Sequence, residues 1–182
     1  ALAQAGGDIL IVAGYLDQGG KGIIQASLDT GAFDMFFMPD GMIGDALPAA
    51  IGSDLNGSIG TVPGTDSPGA AKFSDMAKAA GFASGPFAPE SYDAAALILL
   101  AMQSAKSSDS QVFKSHMMKV ANAPGEKIFP GELAKGLKYL RQGLSIDYVG
   151  ASAVELVGAG ESAGNYAEIE VQGGKNVTVG YR

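Results

Sequence analysis

The chain has 182 residues, 47% hydrophobic and 17% charged, enough for one globular domain or two small lobes with a buried core. Twelve Lys plus Arg against nineteen Asp plus Glu give a net charge of -7 spread along the chain, so no basic stripe can release counterions from nucleic acid, which is rejected as a partner. With no Cys and a single His116, disulfides, thiol nucleophiles and sulfur- or imidazole-built metal sites fall away, and no cofactor is expected.

The first element is Asp8 to Ala13, a short apolar run between glycines that reads as a strand buried on both faces and ends at Gly14-Tyr15. Gln18 to Leu28 spaces Ile23, Ile24 and Leu28 as a helix does, with Gly31 as its C-cap. Met35 to Met38 is a second strand, closed by Pro39-Asp40-Gly41, and Gly44 to Ile51 a second helix. Ser58 to Val62 is a third strand, ended by Pro63-Gly64. Strands joined by connections too long for hairpins predict an α/β fold with a parallel, doubly wound sheet.

After Gly64 the alternation stops. Asp66 to Gly81 reads as a helix capped by Asp66 or Ser67 with Pro68 in its first turn. Pro89 to Lys106 is the most hydrophobic helix, and a helix apolar on all sides is expected between layers. Its apolar run, Ala94 to Met102, is too short to span a bilayer, so no membrane insertion is expected. Asp109 to Asn122 and Pro130 to Arg141 follow as amphipathic helices separated by Pro124-Gly125. From Ile146 the pattern returns to β, with strands expected at Tyr148-Val149, Ser152 to Val157, Tyr166 to Val171 and Val177 to Tyr181.

Few groups here can carry chemistry. Gly158 to Gly164 superficially resembles a dinucleotide loop, but no helix follows to point its N-terminus at a phosphate, which leaves a surface turn. His116 is the one imidazole available to activate a serine, and the chain lacks a Gly-x-Ser-x-Gly turn. Asp17 and Asp40 could pair for acid and base work, yet nothing in the pattern raises either pKa. Position singles out Tyr15, Asp17 and Asp40, because ligands of open α/β sheets collect beyond the carboxyl ends of the strands. Asp40, held between Pro39 and Gly41, suits a charge-assisted bond to an ammonium group, although Pro-Asp-Gly is also a good turn.

Ala13-Gly-Tyr15, Pro39-Asp40-Gly41-Met42, Gly85-Pro-Phe87, Ser91-Tyr92-Asp93-Ala94-Ala95 and Ile146 to Ser152, followed by Gly164-Asn-Tyr166, resemble the solute-binding proteins of branched-chain amino acid ABC transporters. The likeness runs in order along almost the whole chain. It implies the type I periplasmic binding fold, two α/β lobes closing on a ligand, with this chain as an incomplete C-terminal half. Residues 1–62 would belong to the second lobe, 63–145 would return to the first, and 146–182 would form the third crossing and final strands. The resemblance assigns Asp40 to the ligand ammonium, Tyr15 to the pocket wall and Phe87 to an apolar wall beside the ligand side chain. Asp40 stands where some members carry the longer Glu, and Val157 to Ala163 replaces the family's acidic Asp-x-x-Gly-Asp turn.

The implied function is binding of a branched-chain amino acid or similar small solute and its delivery to an ABC transporter permease, in the periplasm or cell envelope. The protein would be a monomer and not an enzyme. A ligand-sensing receptor of the same fold, or an α/β enzyme with a carboxylate site, are the alternatives.

Overall fold

A computed structural model describes residues 1–182. After a single helical turn, α1 (Leu2–Ala5), the chain forms β1 (Leu10–Ile11), α2 (Gly20–Thr30), β2 (Phe36–Met38), α3 (Ala46–Ile51) and β3 (Ile59–Pro63). Helices α4 (Pro68–Ala79), α5 (Ala88–Ala105), α6 (Ser110–Phe113) and α7 (Met117–Ala121) come next, then β4 (Glu126–Ile128), α8 (Leu133–Arg141) and β5 (Ile146–Tyr148). The chain ends with β6 (Leu156–Val157), β7 (Glu161–Ser162), β8 (Tyr166–Gln172) and β9 (Lys175–Tyr181).

Local chemistry sets several of these limits. Gly31 ends α2 with φ 66°, the left-handed cap that glycine adopts without a Cβ penalty, and its amide bonds back to Ser27 and Leu28. Between the two caps that the sequence allowed for α4, Ser67 is the one used: its hydroxyl accepts from the Ala70 amide, and Pro68 fills the first turn.

The chain divides into two compact units, one of Ala1–Gly64 with Tyr166–Arg182 and one of Thr65–Asn165. In the first, β1, β2 and β3 pair in parallel, in register Leu10 to Phe36 and Phe37 to Ile59. The sheet continues through antiparallel β8 and β9, in the order β1-β2-β3-β8-β9. Ile24 of α2 and Leu47 of α3 share one core with Phe36, Met38, Met42, Leu55 and Val171. Both helices therefore cover the same face. The period of two along a strand turns the alternate residues the other way, and there Ile11 and Ile59 are exposed while Phe37 is half-buried. The expectation that the first strand is buried on both faces is not met: Leu10 is half-buried and Ile11 is exposed, because the helices cover only one side of the sheet.

The second unit is built on α5. Ala96, Leu97, Leu100 and Ala101 pack with Val120, Ala121, Ile128, Ile146 and Tyr148, whereas Ile98 and Leu99 on the same helix are exposed. The helix is apolar all round but buried along one side. Beneath it, β4, α8 and β5 form a parallel βαβ unit, with Glu126 opposite Ile146. Sequence reading missed β4, because Glu126-Lys127-Ile128 has one apolar residue and no measurable alternation. Gly125 permits the pairing, since a Cβ there would run into the Ile146 backbone.

Three further elements differ from expectation. The helix expected over Asp109 to Asn122 is broken by a tight turn at Lys114–His116, where the imidazole Nδ1 meets the Ser104 hydroxyl at 2.8 Å. Helix α8 starts at Leu133 instead of Pro130, because Gly131 turns with φ 83° and Glu132 Oε2 accepts the Phe129 amide. The strand expected over Ser152 to Val157 shrinks to Leu156–Val157, since Gly150 and Ala153 take φ 65° and 53° and bend the chain.

Candidate functional site

Tyr15 and Asp40 lie in the first unit, just beyond the carboxyl ends of β1 and β2. The Tyr15 carbonyl accepts from the amides of Gln18 and Gly20, fixing the loop to the start of α2. Asp40 opens a tight turn in which the Met42 amide donates to the Pro39 carbonyl at 2.8 Å. Its carboxylate Oδ1 accepts the Gly41 amide at 2.7 Å, and the side chain is exposed and in no ion pair.

Gly41 brings the two loops together. A Cβ there would sit 2.5 Å from the Gly14 carbonyl oxygen and 2.9 Å from Tyr15 Cδ1, so the aromatic ring lies directly on the glycine backbone. The consequence is a phenol ring packed on Gly41, next in the chain to a carboxylate that is in no ion pair, at the ends of parallel strands. Asp17 is also exposed but sits in the tight turn Leu16–Gln18 ahead of α2.

Phe87 belongs to the second unit, as the residue preceding α5. It adopts φ 67° and ψ 0°, a left-handed conformation that costs a bulky residue about 1–3 kcal/mol. Its ring helps to line a cavity of about 590 Å³ between α4 and α5, together with Phe73, Met76, Phe82, Ser91 and Tyr92. No signal in the sequence joined these residues, because they come from two helices and the loop between them.

The same helix places a buried carboxylate that the sequence marked without a role. Asp93 Oδ1 accepts the Tyr148 hydroxyl at 2.7 Å and the Ala151 amide at 2.8 Å, and Oδ2 accepts the Ser152 amide and hydroxyl, each at 2.7 Å. Burial, reinforced by the adjacent Asp93 charge, pushes the Tyr148 phenol far above its ordinary pKa. This cluster shapes the turn at 150–152, and Asn165 extends the tie by donating to the Ser152 carbonyl. His116 and Ser104 form a pair with no carboxylate bonded to the imidazole, and Gly158 to Gly164 spans the β6–β7 hairpin as an exposed turn.

These features can be set beside known structures. The chain superposes on a leucine-binding protein of Thermotoga maritima with a TM-score of 0.68 at 18% identity, over 96% of this chain and 44% of that one. A solute-binding protein of an ABC transporter from R. palustris, in complex with benzoate, gives 0.57 at 19% identity over 99% and 44%. The fold is that of the type I periplasmic binding proteins. A branched-chain amino acid ABC transporter protein from Thermus thermophilus with bound valine gives 0.54 at 17% identity, over 97% and 46%. The chain spans less than half the length of the structures it matches. No family model and no curated protein matches the sequence. Within that periplasmic-binding fold, no helix of this chain is long and apolar enough to cross a membrane.

Proposed function

We propose that this chain is part of a solute-binding protein that holds an amino acid, with Asp40 on its ammonium group and Tyr15 as an apolar wall, and delivers it to an ABC transporter permease in the cell envelope. The reading is carried by the pairing of the Tyr15 ring with the Asp40 loop across Gly41. A carboxylate with no internal cation partner can take a charge-assisted bond from a ligand without first breaking an ion pair. The aromatic face beside it shields that bond from water and strengthens it. Further support comes from the fold, whose matched members include proteins that bind leucine, benzoate and valine. The role is capture and release without chemical turnover.

Calorimetric titration of the protein with leucine and valine tests it. Removing one partner of a charge pair that ligand binding desolvates costs about 2 to 5 kcal/mol. Asp40 is exposed before the ligand arrives, so the lower end applies, and Asp40→Asn is expected to weaken binding roughly thirtyfold. Unchanged affinity would remove Asp40 from the site.

A further inference from the structure

A carboxylate oxygen taken out of water needs a hydrogen-bond donor, and the fold loses stability where none is supplied. Glu90 Oε2 is such an atom: it is buried, and no donor in the chain reaches it. No ion pair involves the side chain either. Glu90 stands in the first turn of α5, where the helix dipole favours a negative charge. That accounts for a carboxylate at this position but gives Oε2 no hydrogen.

Glu90 lines a cavity of about 490 Å³ that lies wholly within the second unit, between α5, residues 114–118 and the β6–β7 hairpin. That volume is in the range of small-molecule sites. Most of the lining is apolar, including Leu97, Ile98, Met117, Met118 and Val154, and Ile98 and Met118 are left exposed. Two other charged side chains border the space, and both are engaged. Asp93 accepts from Tyr148, Ala151 and Ser152 through its two oxygens, and Lys114 Nζ donates to Gln111 Oε1 at 2.6 Å. Glu90 is thus the one charge in the lining left for a ligand.

This combination selects a ligand by charge and by shape. An anion would be repelled by Glu90 in a partly dehydrated space, where charges interact more strongly than in water. A neutral apolar molecule would cover the Met and Leu side chains but leave Oε2 unpaired. A cationic N–H group supplies a charge-assisted bond, about twice as strong as a neutral one, while an apolar body covers the aliphatic walls and the adaptable thioethers. The terminal torsion of a Glu side chain is broad, so either carboxylate oxygen can turn to meet the donor.

We propose that this cavity is a binding site for a small organic cation, a primary ammonium or guanidinium group on a short apolar chain, with Glu90 as its counter-charge. It shares no residue with the Tyr15 and Asp40 loops and does not depend on their assignment.

The test uses n-hexylammonium, with hexan-1-ol and hexanoate as neutral and anionic probes of the same length, followed through the methyl resonances of Met117 and Met118. Hexylammonium is expected to shift both resonances saturably and to bind about tenfold or more tightly than the alcohol. Hexanoate should leave them in place. Glu90→Gln keeps the shape of the side chain and removes its charge, so it should bring ammonium and alcohol to within about threefold of each other with the affinity for the alcohol retained. Ala94→Leu adds bulk to the cavity from an exposed position on α5, with Glu90 still in the chain, and should abolish the shifts from both probes. The net charge of -7 attracts any cation weakly; a cation held by that field alone would bind both variants as it binds the parent protein, and the site would fall. No saturable shift with hexylammonium, equal affinity for ammonium and alcohol, an ammonium preference kept in Glu90→Gln, or shifts that survive Ala94→Leu would each overturn it as well.

Discussion

Truncating Asp93 should cost the second unit more than removal of any surface carboxylate. The side chain is 2% exposed and accepts four hydrogen bonds, from the Tyr148 hydroxyl, the Ala151 amide and the amide and hydroxyl of Ser152. In Asp93→Ala the Ser152 hydroxyl can turn to water, because Ser152 is half-buried, but the Tyr148 hydroxyl and the Ala151 amide are buried with no other acceptor. Each stranded donor costs about 1–3 kcal/mol. With the lost charge-assisted bond at the Ser152 amide and some relief from water entry, the expected loss is about 3–5 kcal/mol. Asp93→Asn separates the contributions. Its remaining oxygen can keep Tyr148 and Ala151, while its NH₂ faces the Ser152 amide donor to donor, so the expected cost is about 1–3 kcal/mol. Urea unfolding followed by far-ultraviolet circular dichroism measures both. A loss below 1 kcal/mol for the alanine variant, or an equal loss for the two variants, would refute the reasoning.

Two other outcomes follow from single side chains. The folded Tyr148 phenol is held protonated by burial and by Asp93, so below pH 10 it is protonated in both folded and unfolded states and stability is independent of it. Above about pH 10 the unfolded phenol ionises and the folded one does not, so stability should fall by up to about 1.4 kcal/mol per pH unit. Tyr148→Phe should flatten that part of an alkaline unfolding profile, and an unchanged slope would contradict the assignment. At the proposed ligand site, Gly41→Ala places a methyl group against the Gly14 carbonyl and the Tyr15 ring. It is expected to weaken amino acid binding about tenfold or more, as displacement of a positioning group by an ångström does for reactivity, with the far-ultraviolet spectrum retained; wild-type affinity would show that the ring position does not matter.

How much could be read in advance differs between the two units. Apolar runs and glycines located β1, β2 and β3 and the helices between them, because each signal lies within one short window. Pro39-Asp40-Gly41 and Gly14-Tyr15 were legible as strand-end loops for the same reason. The contact of the Tyr15 ring with Gly41 was not, since it joins residues from two strands. In the second unit, β4 carries no alternation and is a strand only because Ile146 passes beside Gly125.

By itself the sequence determined the α/β class, the order of the early elements and the loops at the strand ends, since period, capping and turn chemistry are local properties. Tertiary structure alone decided which faces are covered and how the distant groups combine. Asp93 meets residues 55 to 59 positions away, and the aromatic cavity draws its walls from α4, α5 and the loop joining them. Burial and hydrogen-bond completion depend on which segments become neighbours in space, and that is fixed when the chain packs as a whole.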